Sequence, residues 1–135
     1  MFPSDYSGTV VDVTRRFEFD YAHRVLWHQG KCANLHGHRG VAEVTVSSPE
    51  LDPMGMVVDF AVLKDKVGGW IDEFWDHNLL LHYLDPLAEY VPSITGHLPG
   101  KKPFIFDREL GNPTAENMAK QIRWQVATAI RCSWR

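Results

Sequence analysis

The chain predicts an α+β domain in which two long antiparallel strands carry two amphipathic helices on one face. Three observations predict it. Apolar and polar residues alternate from Thr9 to Ala22, and again from about His36 to Ser47. Apolar residues then recur at three- and four-residue steps in two segments, from Phe60 to Phe74 and from Ala115 to Ile130. With 135 residues the chain reads as a single domain over 1–135, long enough to bury a core without disulfides or a structural metal.

Residues 1–8 hold Pro3, Ser4, Asp5, Ser7 and Gly8 and read as a loose arm. In the first strand Val11, Val13, Phe17, Phe19 and Tyr21 share one parity, and Asp12, Thr14, Arg16, Glu18 and Asp20 the other. His23 continues the apolar parity and so points inward at the strand's end. A loop over 24–35 follows. The second strand carries His36, His38, Ala42, Val44 and Val46 on its core side, provided no bulge at Gly37 or Gly40 resets the register. Pro49 to Gly55 reads as a turn, and Met56-Val57-Val58 as a short strand. Asp59 is placed to cap the first helix, whose stripe is Phe60, Leu63, Val67, Trp70, Ile71 and Phe74 despite Gly68-Gly69. Residues 78–112 read as a long irregular insert, with Leu79-Leu80-Leu81, then Pro86, Pro92, Gly96, Pro99 and Gly100, and a short strand candidate at Phe104-Ile105-Phe106. Asn112-Pro113-Thr114 opens the second helix.

Composition narrows the function. A hydrophobic share of 44% and a charged share of 23% are those of a soluble globular protein. The net charge of −3, with both signs mixed along the chain, argues against nucleic acid as a partner. Any polyanionic substrate would need basic residues placed locally. Two cysteines, Cys32 and Cys132, favour reduced thiols and a cytoplasmic setting. The first residues lack a basic segment followed by an apolar run, and no segment approaches the roughly 20 apolar residues of a membrane span.

The chemistry gathers in Cys32-Ala-Asn-Leu-His36-Gly-His38. His36 and His38 project from one strand face, and His23 approaches from the end of the other strand. Three imidazoles with a position left open are the ligand count of a catalytic zinc site, although iron or nickel would fit the same set. Cys32 is either a fourth ligand, which would close the site, or a thiol activated beside the metal. The spacing leaves both readings open. Asp76-His77 is either an oriented general base or a polar helix end.

Five motifs, in order, resemble the 6-pyruvoyltetrahydropterin synthase and 6-carboxytetrahydropterin synthase family. They are Phe19-x-x-Ala22-His23, Cys32-x-x-x-His36-Gly37-His38, Gly55-Met56-Val57-Val58-Asp59-Phe60, Asp76-His77 and Pro113-Thr114-Ala115-Glu116-Asn117. The resemblance runs from about Phe17 to Ile130. The short loop between Ala22 and Cys32 is closer to the bacterial queuosine-pathway members than to the animal tetrahydrobiopterin enzymes.

The resemblance implies the tunnelling fold, in which sheets of several subunits close into a barrel, commonly a homohexamer of paired trimers with active sites at subunit junctions. It implies that His23, His36 and His38 bind Zn2+, that Cys32 is the catalytic thiol, and that Asp76 and His77 are its partners in proton transfer. The implied substrate is the small molecule 7,8-dihydroneopterin triphosphate. In the queuosine branch it gives 6-carboxytetrahydropterin with release of acetaldehyde and triphosphate. Thr114 and Glu116 belong to a motif expected near the substrate pocket. Arg24, Lys31, Lys101 and Lys102 are candidate triphosphate contacts. Family members continue into a last strand whose glutamate anchors the pterin, and this chain ends at Arg135. The alternatives are a 6-pyruvoyl or side-chain-cleaving relative with the same pocket, and a catalytically silent zinc- or pterin-binding paralogue.

Overall fold

The computed structural model describes residues 8–95 and 100–133, with the side chains of 92–95 and 132–133 excepted. The expected N-terminal arm and the Cys132 thiol lie outside the described residues. Strand β1 (Val11–His23) pairs antiparallel with β2 (His36–Ser48) in one register, from Val11 opposite Ser48 to His23 opposite His36. The ladder runs through Gly37 and Gly40 without a bulge, so the parity argument holds along both strands. Phe19, His23 and Val44 are buried on the inner face, while Asp12, Glu18 and Glu43 are exposed on the outer one. Gly40 stands opposite Phe19, and a Cβ there would lie 2.5 Å from the tip of that buried ring. The missing side chain is what lets the ring lie across β2.

Two further strands extend the sheet. β3 (Asn78–His82) runs parallel to β1, and β4 (Phe104–Phe106) parallel to β3, giving the order β2-β1-β3-β4. The stretch expected to be an irregular insert holds the expected strand at Phe104–Phe106 and, beyond the expectation, a strand at 78–82 and a helix, α2 (Leu87–Thr95). Leu80 and Leu81 are both fully buried, so this short inner strand is covered on both faces and shows no alternation to read. Conversely, Met56-Val57-Val58 is not a strand. Asp52 takes the amides of Met54 and Met56 on one carboxylate oxygen, and the segment is held as a turn before it can pair.

Helix α1 covers residues 60–74 as three consecutive segments, Phe60–Val62, a π-helical turn Leu63–Gly68, and Gly69–Phe74. Asp59 caps it, accepting from the Ala61 amide at 2.8 Å. The widened turn changes the expected stripe. Leu63, Val67, Ile71 and Trp75, each four residues apart, are the buried positions, and Phe60 and Phe74 turn outward. Helix α3 (Ala115–Ser133) lies beside it, burying Met118, Ile122 and Ala129. The core sits between the sheet's inner face and these two helices, with Phe19, Trp75, Leu80 and Phe106 at its centre.

Candidate active site and metal centre

The register of β1 and β2 builds the histidine cluster. His23 and His36 are direct partners, and His38 follows two residues on along the same face. Their ring centroids are 4.6 to 5.1 Å apart, and one nitrogen of each lies within 4.8 Å of the others. His23 is buried and His38 exposed, so the cluster opens outward.

Two carbonyls set the tautomers. His23 Nδ1 donates to the Pro113 carbonyl at 2.7 Å, and His36 Nδ1 donates to the Asn34 carbonyl at 2.6 Å. A carbonyl only accepts, so in each neutral ring Nε2 carries the lone pair. Those two Nε2 atoms face each other at 3.1 Å. Two lone pairs at that distance repel unless a cation lies against both. Tetrahedral zinc with bonds of about 2.05 Å would hold two nitrogens about 3.3 Å apart, so the spacing fits such an ion. Burial holds His23 below the usual histidine range, aided by His36 and His38 and opposed by the Pro113 carbonyl. A neutral imidazole is what a metal requires. The described residues thus hold a histidine triad able to bind a metal ion.

Cys32 lies in a short 3-10 turn (Lys31–Ala33) and is exposed. It does not join the ligand set, which consists of the three histidines. It lines instead a cleft of about 990 Å³ between the sheet and α3, together with His23, His28, His38, Thr114 and Glu116. Thr114 also caps α3, its hydroxyl accepting from the Asn117 amide at 3.3 Å, and Glu116 is exposed in the first turn. Ala115 and Ala119, apolar residues at the start of the segment expected to pack as a helix, are exposed and face this cleft rather than the core.

Asp76 and His77 sit elsewhere in the chain. Asp76 accepts the Asp20 amide at 2.9 Å, and His77 Nδ1 donates to its other oxygen at 2.8 Å. The His77 amide donates to the Asp20 carbonyl at 2.6 Å. Burial pushes the Asp76 carboxyl up, but the Asp20 amide, His77 and Lys101 together hold it below the usual range. His77 adopts φ 55°, and its side chain is 75% exposed. Neither residue lines the cleft that holds Cys32. Within one chain the predicted Cys32–His77 partnership is not assembled.

The candidate triphosphate contacts divide. Arg24 forms a two-pronged pair with the buried Asp85, and Lys101 donates to the carbonyls of Asp72 and Asp76 at the end of α1. Lys31 and Lys102 are exposed.

Two residues at or near the site have roles the sequence did not announce, Asn112 having been read only as part of the helix opening. His28 lies in a loop, where no periodicity assigns a direction. Asn112 bonds both the amide and the carbonyl of Leu26, at 2.8 and 3.0 Å. It thereby ties the loop after β1 to the segment that presents the Pro113 carbonyl to His23.

Fold and site together define a mixed α+β domain with a three-histidine metal-type centre beside an accessible thiol. The family model described as 6-pyruvoyl tetrahydropterin synthase matches residues 12–133, and the chain belongs to that family. A 6-carboxy-5,6,7,8-tetrahydropterin synthase of Rickettsia bellii is 44% identical over 117 residues, covering 87% of this chain and 80% of that one. One from Aquifex aeolicus is 34% identical, with 81% and 74% covered. The structure of Caenorhabditis elegans 6-pyruvoyl tetrahydropterin synthase superposes with a TM-score of 0.58 at 26% identity, covering 89% of this chain and 79% of that one.

Proposed function

We propose that the protein is a zinc-dependent 6-carboxytetrahydropterin synthase, a carbon–oxygen lyase acting on 7,8-dihydroneopterin triphosphate. The observation that carries this is the pair of Nε2 lone pairs 3.1 Å apart in a cleft that also holds Cys32. The 44% identity to the Rickettsia bellii 6-carboxy enzyme, against 26% to the nematode 6-pyruvoyl enzyme, supports the carboxy product.

Zinc, when bound, supplies Lewis acidity to the substrate's side-chain oxygens and so acidifies the neighbouring C–H bonds. His23, His36 and His38 would hold it, the first two kept in their ligating tautomers by Pro113 and Asn34. Cys32 as thiolate would take and return protons at the substrate side chain while triphosphate leaves, and one water would supply the second carboxylate oxygen as acetaldehyde is released. Thr114 and Glu116 would meet the substrate from the opposite wall of the cleft.

His77, held in one tautomer by Asp76, would be the thiol's proton partner across a subunit junction. Its exposed Nε2 suits that role, and β2 has no ladder partner on its outer edge among the described residues. We propose a cytoplasmic homo-oligomer, a hexamer of paired trimers, in which one chain supplies Cys32 and the next supplies His77.

The test is incubation of zinc-loaded protein with dihydroneopterin triphosphate, following acetaldehyde, triphosphate and pterin products. Formation of 6-carboxytetrahydropterin with equal acetaldehyde supports the assignment. A 6-pyruvoyl or hydroxymethyl product would move the chain to a sister activity, and no turnover with zinc bound would leave a silent paralogue.

A further inference from the structure

His28 shares the cleft with Cys32 and His38, yet it belongs neither to the metal triad nor to the Asp76–His77 pair. Its ring is anchored at one nitrogen only: Nδ1 accepts the Gly30 amide at 2.9 Å. An imidazole that accepts at Nδ1 carries its proton at Nε2, so His28 presents a fixed donor. The surrounding loop is built for this placement. Trp27 takes φ 68°, a conformation unusual for a bulky residue, to turn the chain at that point. The His28 amide donates to the Val25 carbonyl at 3.2 Å, and the Val25 amide to the Cys32 carbonyl at 2.8 Å, so His28 and Cys32 are carried on one knitted loop. A Cβ on Gly30 would lie 2.8 Å from His28 Cε1, so the anchoring approach exists only because residue 30 is glycine.

A tetra-anionic triphosphate needs donors beside the thiol. Arg24 and Lys101, two of the four basic candidates, are committed to Asp85 and to the end of α1. Arg123 also lines the cleft, but it lies seven residues beyond Glu116, about 10 Å along α3. We infer that His28 is a substrate-contacting residue whose Nε2–H, with the neighbouring Lys31, receives the triphosphate of the pterin substrate. The inference rests on the proposed function and adds to it the residue that recognises the leaving group.

The test compares binding of 7,8-dihydroneopterin triphosphate and unphosphorylated 7,8-dihydroneopterin, by calorimetry, to the zinc-loaded full chain carrying Cys32→Ala to prevent turnover. Adding His28→Ala is expected to weaken the triphosphate form by about tenfold or more, as for loss of a hydrogen bond to a charged group, and to leave the unphosphorylated form within about twofold. Adding His28→Gln, which restores an N–H donor at a similar reach, should recover most of the loss. Gly30→Ala, which displaces the ring without removing it, should reproduce His28→Ala with zinc content unchanged. Equal binding of both pterins with and without His28, or equal loss for both, would overturn the inference while leaving the proposed function in place. If the parent binds neither pterin, the functional reading fails and this inference with it.

Discussion

His23 Nε2 and His36 Nε2 face each other at 3.1 Å, and each ring is turned to do so by a carbonyl on its far nitrogen. Neither contact is accidental to the fold. The two residues are the last register pair of the β1–β2 ladder, and Pro113, fully buried, closes the cluster from the helix side. The first prediction follows from this pair. Purified protein should hold one zinc per chain, and the cobalt-substituted form should show the intense visible bands of tetrahedral coordination. His36→Ala should abolish both, and removing the metal with a chelator should lower the melting temperature by several degrees. Unchanged cobalt bands in His36→Ala would sink the ligand assignment.

Asn112 acts on the same centre from a distance. Asn112→Ala removes both hydrogen bonds to Leu26 and frees the segment that carries the Pro113 carbonyl. The expected cost is about 1–3 kcal/mol of stability, with about 10- to 100-fold weaker metal binding by chelator competition. A loss of stability with metal affinity intact would show that the clamp serves the fold alone.

Cys32 and His77 lie in separate places on one chain. Each of Cys32→Ala and His77→Ala alone should lower kcat by at least about 100-fold with zinc retained. Mixed, unfolded and reassembled together at equal amounts, they should recover about a quarter of wild-type activity, the share of junctions that pair an intact thiol with an intact imidazole. Two dead variants that stay dead in mixed oligomers would place both residues in one chain's site.

Asp85 is buried against Arg24, and that guanidinium's hydrogen bonds hold its carboxyl below the usual range; burial opposes and the Leu87 amide adds to the effect. A carboxyl depressed in the folded state stabilises it above the unfolded value of about 3.9 and loses that contribution as pH falls through the folded value. Asp85→Asn should therefore cost about 2–3 kcal/mol at neutral pH, where breaking a half-shielded pair leaves Arg24 uncompensated. The cost should shrink below about pH 4. A pH-independent difference between the two proteins in urea melts would refute the ionic account.

Much of the site was legible because strands have a two-residue period. Parity along β1 and β2 aims His23, His36 and His38 to one face, and the unbroken ladder keeps that parity valid over thirteen register pairs. Capping preference and recurrence at three- and four-residue steps likewise reached the Asp59 cap and most of α1's stripe. It failed at Phe60 and Phe74, since a π-helical turn inserts a residue that no apolar pattern announces. It failed again at residues 78–82, where a strand buried on both faces shows no alternation. His28 and the Asn112 clamp escaped for a third reason: no periodicity aims a loop side chain, and single hydrogen bonds do it instead, a local one to the Gly30 amide for His28 and a distant one to Leu26 for Asn112.

By itself, then, the amino-acid sequence determined the domain class, the two long strands, the three imidazoles on one face and the residue types of a thiol-and-histidine chemistry. These depend on periodicity and on side-chain identity, both of which are local. Only the tertiary structure decided which nitrogens carry protons, that Cys32 stands apart from the cluster of three histidines, and that Asp76 and His77 lie outside the cleft that holds the thiol. Most of this rests on contacts between segments distant in sequence, Pro113 with His23 and Asp20 with His77 among them, and such contacts exist only once the chain has folded.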